Sequence, residues 1–481
     1  MSAPSTDRRR WWTLAVLSLT QLVVVLDGTI VNIALPQAQA ELGLTDGQRQ
    51  WVVTAYALTF GALLLLGGRI ADYAGRRRVF LVGMAGFALA SLWGGLAQSA
   101  GELIAARGLQ GVFAALLAPA ALGLLTVTFP SGPDRNVAFA VFGAIAGSGA
   151  AVGLLLGGVL TEYADWRWCL LVNLFFGALG LVGGVLLLSE STAEGDNRYD
   201  VWGAVTATLG LGSLVYGFTR AEHGWGELDT IGFLTLGVVL LAAFVLVESR
   251  VSQPLLPLRV LTHRVRAGAF IVQAVVGAVL IGATLYLTFH LQIVLGMSPL
   301  EAGLANVVMT AATLVVVPFV TKLLPRIGPR PVMVVGPVVA AAGLLLLSRI
   351  TPDGGYLTHV MPGLILIGVG LAMVFVPLQN LALTGVAAHD AGAAAATVNS
   401  AMQVGGSIGL ALFTVFYADA MESSLVDGSA VPAALTDGYA AVFVAAGVAM
   451  LLAAVVAAVT VRGPKEDLLP SADAPQVVHV G

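Results

Sequence analysis

Two residues of opposite charge sit where charge is most costly. Asp27 lies within Val24-Val25-Leu26-Asp27-Gly28-Thr29-Ile30, and Arg107 lies within the apolar run that follows Glu102. An acid inside hydrocarbon needs a partner or a proton. A nearby cation favours the carboxylate and burial favours the acid, so Asp27 and Arg107 together could take up and release a proton. Other polar residues inside apolar runs fall into two groups. Arg107, Gln110 and Gly111 share a helix face at spacings of three and four, and Asn399, Gln403 and Ser407 recur every four residues. Gln273, Asn306, Gln379 and Asn380 are isolated, and with Asn32, Tyr56, Gln110, Asn399 and Gln403 they are candidates for lining a substrate cavity. Helix packing explains the two stripes equally well, since Gln, Gly and Ser also join helices in lipid. His290 reads as an interfacial residue near an outer boundary, and Cys169 as a small buried hydrophobe.

Some chemistries are excluded at once. The six histidines show no HExxH spacing and there is one cysteine, so no metal site and no disulfide framework is expected. No GxxxxGK[ST] loop is present, which removes ATP as an energy source within this chain, and no nucleophile, base and orienting group form a set, so an enzyme is not expected. A net charge of -4 argues against nucleic acid as a partner.

The elements that must hold these residues follow from composition. Of 481 residues 58% are hydrophobic and 10% charged, against roughly 25% charged in a soluble domain. Apolar runs long enough to cross a bilayer recur from Trp11 to Val461. They predict spans near 11–35, 51–71, 79–98, 102–127, 137–160 and 168–188, an additional pair near 201–219 and 230–248, and six more near 267–292, 301–322, 332–348, 360–385, 392–417 and 438–461. Alternating ten-residue segments are absent, so the fourteen spans are helices and the fold is an all-α polytopic membrane protein. The first span follows Arg8, Arg9 and Arg10 and has no small-residue cleavage site after it, as expected of an uncleaved helix.

With the amino terminus inside, 18 of the 23 Lys and Arg face the cytoplasm, among them Arg69, Arg76 to Arg78, Arg198, Arg330 and Lys465. Arg49, Arg167, Arg220 and Arg349 fall outside. The bias predicts that both termini are cytoplasmic. Counting about 1.5 Å per residue from the outer helix ends, near Leu35 and Glu102, puts Asp27 roughly 12 Å and Arg107 roughly 7 Å deep.

Two features repeat at one offset. Gly75-Arg76-Arg77-Arg78-Val79 and Gly328-Pro329-Arg330-Pro331-Val332 lie 253 residues apart, as do the capping-box sequences Thr45-Asp46-Gly47-Gln48 and Ser298-Pro299-Leu300-Glu301. The predicted organisation is a cytoplasmic amino terminus (1–10), a six-helix bundle (11–188), an inserted helix pair with its loops (189–266), a second six-helix bundle (267–461) and a cytoplasmic tail (462–481). Transporters are commonly built from such repeats, with the substrate between the halves. Gly149, Gly153, Gly157 and Gly158 in the fifth span read as a close-packing face.

On these residues the chain resembles the major facilitator superfamily, in particular its fourteen-helix drug:proton antiporter branch. Leu26-Asp27-Gly28-Thr29-Ile30-Val31-Asn32-Ile33-Ala34-Leu35-Pro36 is similar to that branch's first-helix motif, and Gly68 to Arg78 to the superfamily's loop between helices two and three. Arg107-Gly108-Leu109-Gln110-Gly111 is similar to the fourth-helix motif, and Trp166-Arg167-Trp168 with Asn173 to the branch's WRW…N element. The fifth-helix antiporter motif departs from its usual form, with Leu154 where proline is usual. The resemblance implies proton-coupled export of a lipophilic or amphipathic small molecule by alternating access, with Asp27 and Arg107 coupling the proton. It also implies a gating loop at Asp72, Gly75, Arg76, Arg77 and Arg78, whose Asp72 would latch onto the start of span thirteen near Ala391 and Gly392. The expected partners are a small molecule, protons and lipid. No cofactor besides the proton gradient, a monomer, and the bacterial cytoplasmic membrane complete the expectation. An uptake symporter or uniporter is the alternative on the same scaffold, and a non-transporting receptor or structural protein the alternative from another class.

Overall fold

The computed structural model describes residues 4–130, 133–192, 200–221, 224–251, 254–386, 391–463 and 468. Arg198, Lys465 and most of the 462–481 tail lie outside the described residues. The helices are α1 (Pro4–Leu42), α2 (Asp46–Ala74), α3 (Arg76–Gly95), α4 (Ala100–Thr128), α5 (Pro133–Tyr163), α6 (Trp168–Leu187), α7 (Val201–Arg220) and α8 (Leu228–Arg250). They are followed by the short α9 (Leu258–Thr262), then α10 (Arg264–Val294), α11 (Pro299–Ile327), α12 (Pro329–Leu347), α13 (Tyr356–Ala382), α14 (Ala391–Val426) and α15 (Val431–Thr460). No strand occurs among the described residues. Fourteen of these helices are long and apolar enough to cross a membrane, as the sequence predicts, so this is a multi-pass membrane protein.

Several helices run beyond the predicted apolar windows. The first span was expected to end at Leu35, yet α1 continues through Pro36 to Leu42, and α14 passes residue 417 to reach Val426. Hydropathy marks the hydrocarbon thickness, whereas a helix persists into the headgroups wherever its backbone bonds continue. Counted from Leu42, Asp27 lies roughly 22 Å along α1, near the middle of the Arg8–Leu42 helix.

The chain forms two compact units, one reaching to Ala204 and the other beginning at Val205, so the inserted pair α7 and α8 groups mainly with the second. In the first unit α4 packs on α2 and α3, α1 on α5 and α6, and α3 on α6. In the second, α13 packs on α11 and α12, α10 on α14 and α15, and α12 on α15. Helix for helix this is the same pairing.

Local structure repeats as well. Thr45 and Ser298 both close capping boxes: Oγ1 of Thr45 accepts from Gln48 N–H at 3.2 Å while Gln48 Oε1 accepts from Thr45 N–H at 3.1 Å, and Ser298 does the same with Glu301 at 3.2 and 2.9 Å. At the other ends of those helices Gly75 (φ 106°) and Gly328 (φ 80°) join one helix directly to the next, in backbone regions that favour glycine.

Candidate functional site: a buried ion pair between five helices

Asp27 on α1 is fully buried and Arg107 on α4 is 1% exposed. Arg107 donates to Asp27 Oδ2 at 2.5 Å. The other carboxylate oxygen accepts from Gln110 Nε2 at 3.0 Å and from Asn173 Nδ2, on α6, at 2.6 Å. Three donors and no acceptor are recorded on the carboxyl group, a set that an ionised carboxylate satisfies. Arg107 is held from its other edges: Nε donates to Val52 O on α2 at 3.1 Å, and the same nitrogen that meets Asp27 also donates to Gln110 Oε1 at 2.9 Å. Its guanidinium lies 4.4 Å from the centre of the Tyr56 ring, whose hydroxyl donates to Val24 O at 3.0 Å. Gln110 spends its remaining donor on Ser91 Oγ of α3 at 2.7 Å. Buried charge survives only when paired and hydrogen-bonded in this way.

Glycines set the helix spacing that makes the network possible. A side chain at Gly111 would stand 2.0 Å from Thr59 Oγ1 and 2.4 Å from Tyr56 O, and one at Gly67 would stand 2.0 Å from Ala115 O, so α2 and α4 touch backbone to backbone. The Ala115 carbonyl is the one that Pro119, four residues on, leaves without its helical donor. On α5 the ladder Gly149, Gly153 and Gly157 meets Val25, then Leu26 and Thr29, then Ile30. It therefore packs on α1 on both sides of Asp27, and Gly158 beside it is buried.

The chain belongs to the major facilitator superfamily. The model of that family matches residues 17–410. The chain is 49% identical, over 96% of its length and 93% of the relative's, to the puromycin resistance protein pur8 of Streptomyces alboniger. It is 39% identical, over 97% and 95%, to the cephamycin export protein CmcT of Amycolatopsis lactamdurans. Among solved structures, a peptide transporter POT in complex with sulfate superposes with a TM-score of 0.66 at 15% identity over 92% and 93% of the two chains, a likeness of fold alone.

The candidate residues of this facilitator separate into groups. Gln110 and Tyr56, expected at a cavity wall, are buried inside the ion-pair network, because their polar atoms are needed to satisfy Arg107, Asp27 and the α1 backbone. Asn32, Gln273 and Asn306 are also buried, and Asn306 Nδ2 donates to Ala302 O at 2.9 Å within its own helix. Gln379 and Asn399 are exposed, and Asn380 and Gln403 are half-buried. Ser407, the third member of that stripe, is buried and bonds back to Gln403 O.

The loop after α2 is tied within its own unit. Asp72 accepts from Arg76 Nε and Nη2 at 3.0 and 2.8 Å. The expected latch at Ala391 and Gly392 falls on positions whose side chains lie outside the described residues. A carboxylate does sit on a helix start here, but it is Glu190: its two oxygens accept from the backbone N–H groups of Arg77 and Arg78 at 3.0 and 3.2 Å. A side chain at Gly75 would lie 2.7 Å from Glu190 Oε1, a second reason for glycine there. Glu190→Ala is expected to lower stability by about 1 kcal/mol, as loss of a helix cap does. Thermal unfolding of the purified protein checks this, and an unchanged midpoint would remove the capping role.

Residues outside the candidate set also take part. Asn173 was quoted only within the WRW…N element, and its contact with Asp27 shows what it does. The tryptophan and arginine of that element form a clamp: Glu41 accepts from Trp166 Nε1 at 2.6 Å and from Arg167 Nη1 at 2.5 Å, and Arg167 also donates to Ala97 O at 3.0 Å. Ser91 carried no signal, since serine is common in apolar helices. His290 contradicts its interfacial reading, being 1% exposed. The helix extends to Val294, and α11 and α15 close over that end.

Proposed function

We propose that this chain exports an amphipathic antibiotic-like molecule from the bacterial cytoplasm in exchange for protons, acting as a transporter and not as an enzyme. Asp27 carries the proton and Arg107 sets how readily it is taken up. The observation that carries the reading is the sealed Asp27–Arg107 pair, a titratable charge at the middle of a span with neutral amides as its other partners. Relatives named for puromycin resistance and cephamycin export support the substrate class. The excess of Lys and Arg on one side supports a cytoplasmic-membrane protein with both termini inside. The proton gradient is the energy source, no cofactor is required, and one chain suffices.

Purified protein in liposomes tests this directly. An acid lumen should drive puromycin into the vesicles and adding puromycin should release lumenal acid. Accumulation driven instead by an alkaline lumen would establish uptake by symport, a rival that Leu154 in the fifth-helix motif keeps open, and absence of flux over a panel of antibiotics would overturn transport of this class. Arg107→Lys is expected to retain partial turnover with a shifted pH profile. A point charge replaces the planar fork and loses the Nε contact with Val52 O. Wild-type kinetics in this variant would reduce Arg107 to a structural role.

A further inference from the structure

The second unit contains its own buried titratable group. His290 is the first residue of a π-helical turn, His290–Val294, and a second π segment, Ala278–Ala283, lies earlier in the same helix. Single π turns are rare and recur at functional sites. Nδ1 of His290 is buried and has no hydrogen-bond partner among the described residues. A bare buried ring nitrogen costs free energy unless something else requires it.

Its surroundings are aromatic. The His290 ring meets Tyr439 of α15 edge to face at 5.9 Å, Tyr439 stacks on Tyr417 of α14 at 5.4 Å, and Tyr286, one turn before His290, lies 5.1 Å from Tyr417. The Tyr286 hydroxyl is hydrogen-bonded to Thr414 Oγ1 at 2.7 Å. Acids on the helices packed around this turn are engaged or remote: Glu301 of α11 in its capping box, Asp437 of α15 accepting from Ser424 Oγ at 2.7 Å, and Asp419 and Glu422 of α14 exposed. Among the described residues none forms an ion pair with His290. An imidazolium formed here would find π faces rather than a counter-ion, an arrangement that tolerates a transient cation better than a lasting one.

We propose that His290 is a second proton-exchange site, taking one proton at Nδ1 from water when the π turn opens on one side of the membrane and giving it back to water on the other side before the tyrosines close around the neutral ring. This deepens the proton-coupled reading above and rests on it for its role in transport. The geometry carries the site itself: a π-helical turn at the end of its helix, a buried nitrogen with no hydrogen-bond partner among the described residues, and an aromatic shell in place of a carboxylate.

Two measurements decide it. Hydrogen–deuterium exchange at the histidine Cε1 of the full-length protein in lipid nanodiscs, followed by mass spectrometry, reports titration of each ring without any transported molecule. His290 should show a sigmoidal rise in exchange with pH, the signature of a ring that gains and loses a proton. A slow rate that does not respond to pH would overturn the proposal. Protons moved per puromycin in liposomes should then fall by about one in His290→Asn while transport persists, and an unchanged count would overturn the transport role. If the variant does not fold, exchange in the wild type still decides whether the site exists. Should wild-type protein move puromycin without protons while His290 titrates, the antiport reading fails and the site stands. Should it move protons while His290 is silent, this inference alone fails.

Discussion

In the proposed exchange, Asp27→Asn is expected to abolish drug accumulation driven by a pH gradient and to destabilise the protein by about 3–5 kcal/mol, the usual cost of leaving one member of a buried pair uncompensated. The structure gives the reason for both effects. Among the described residues Asp27 is the one anionic partner of Arg107, whose other bonds go to Val52 O and Gln110 Oε1. Asparagine still offers an oxygen but no charge. Replacing both members, Asp27→Asn with Arg107→Gln, should therefore recover much of the lost stability while transport stays absent. That separation is the informative result, since it divides the proton chemistry from the folding role. A single Asp27→Asn variant that still concentrates puromycin with an unaltered pH dependence would sink the assignment.

Gly111→Val should be nearly as damaging without touching any charge. The first added carbon would meet Thr59 Oγ1 and the Tyr56 carbonyl well inside contact distance, and the second of these is backbone, which cannot swing away. Overpacking costs about 1–3 kcal/mol where neighbours can shift and more where they cannot. Prising α2 from α4 would also lengthen the Arg107–Val52 bond and move the Tyr56 ring from under the guanidinium. Yield of folded protein and thermal midpoint should drop together, with Gly111→Ala intermediate. Normal folding of Gly111→Val would mean that the crossing is looser than its geometry implies.

The sequence was most legible where a physical cost was visible in one dimension. Charges inside apolar runs exposed Asp27 and Arg107, and fourteen long runs exposed fourteen helices. The repeat was legible because capping boxes and positive-φ glycines are written in local residue types, at Thr45 and Ser298 and at Gly75 and Gly328. What stayed hidden depended on rotation about helix axes. Nothing in the isolated Asn173 or Ser91 says that one points at Asp27 and the other at Gln110, and Glu190 sits in a polar stretch where one acid looks like another. His290 was misplaced because its nearness to a predicted boundary suggested exposure, whereas neighbouring helices overhang that end. The same loss of the third dimension made Gln110 and Tyr56 look like ligand contacts when their atoms were already committed.

The closed pairing of Asp27 with Arg107 also has an electrical side. With Asp27 ionised the pair has no net charge, so in the proposed cycle it feels no force from the membrane voltage. A proton on Asp27 uncovers the arginine and leaves one positive charge near mid-span. An elementary charge that crosses the whole potential changes its energy by about 2.3 kcal/mol per 100 mV, so a charge half-way across feels about half of that. An interior-negative voltage then pulls the protonated form inward and leaves the deprotonated form alone. Export of a neutral molecule should therefore generate current, and holding the voltage at zero should slow only the half-cycle that carries the proton.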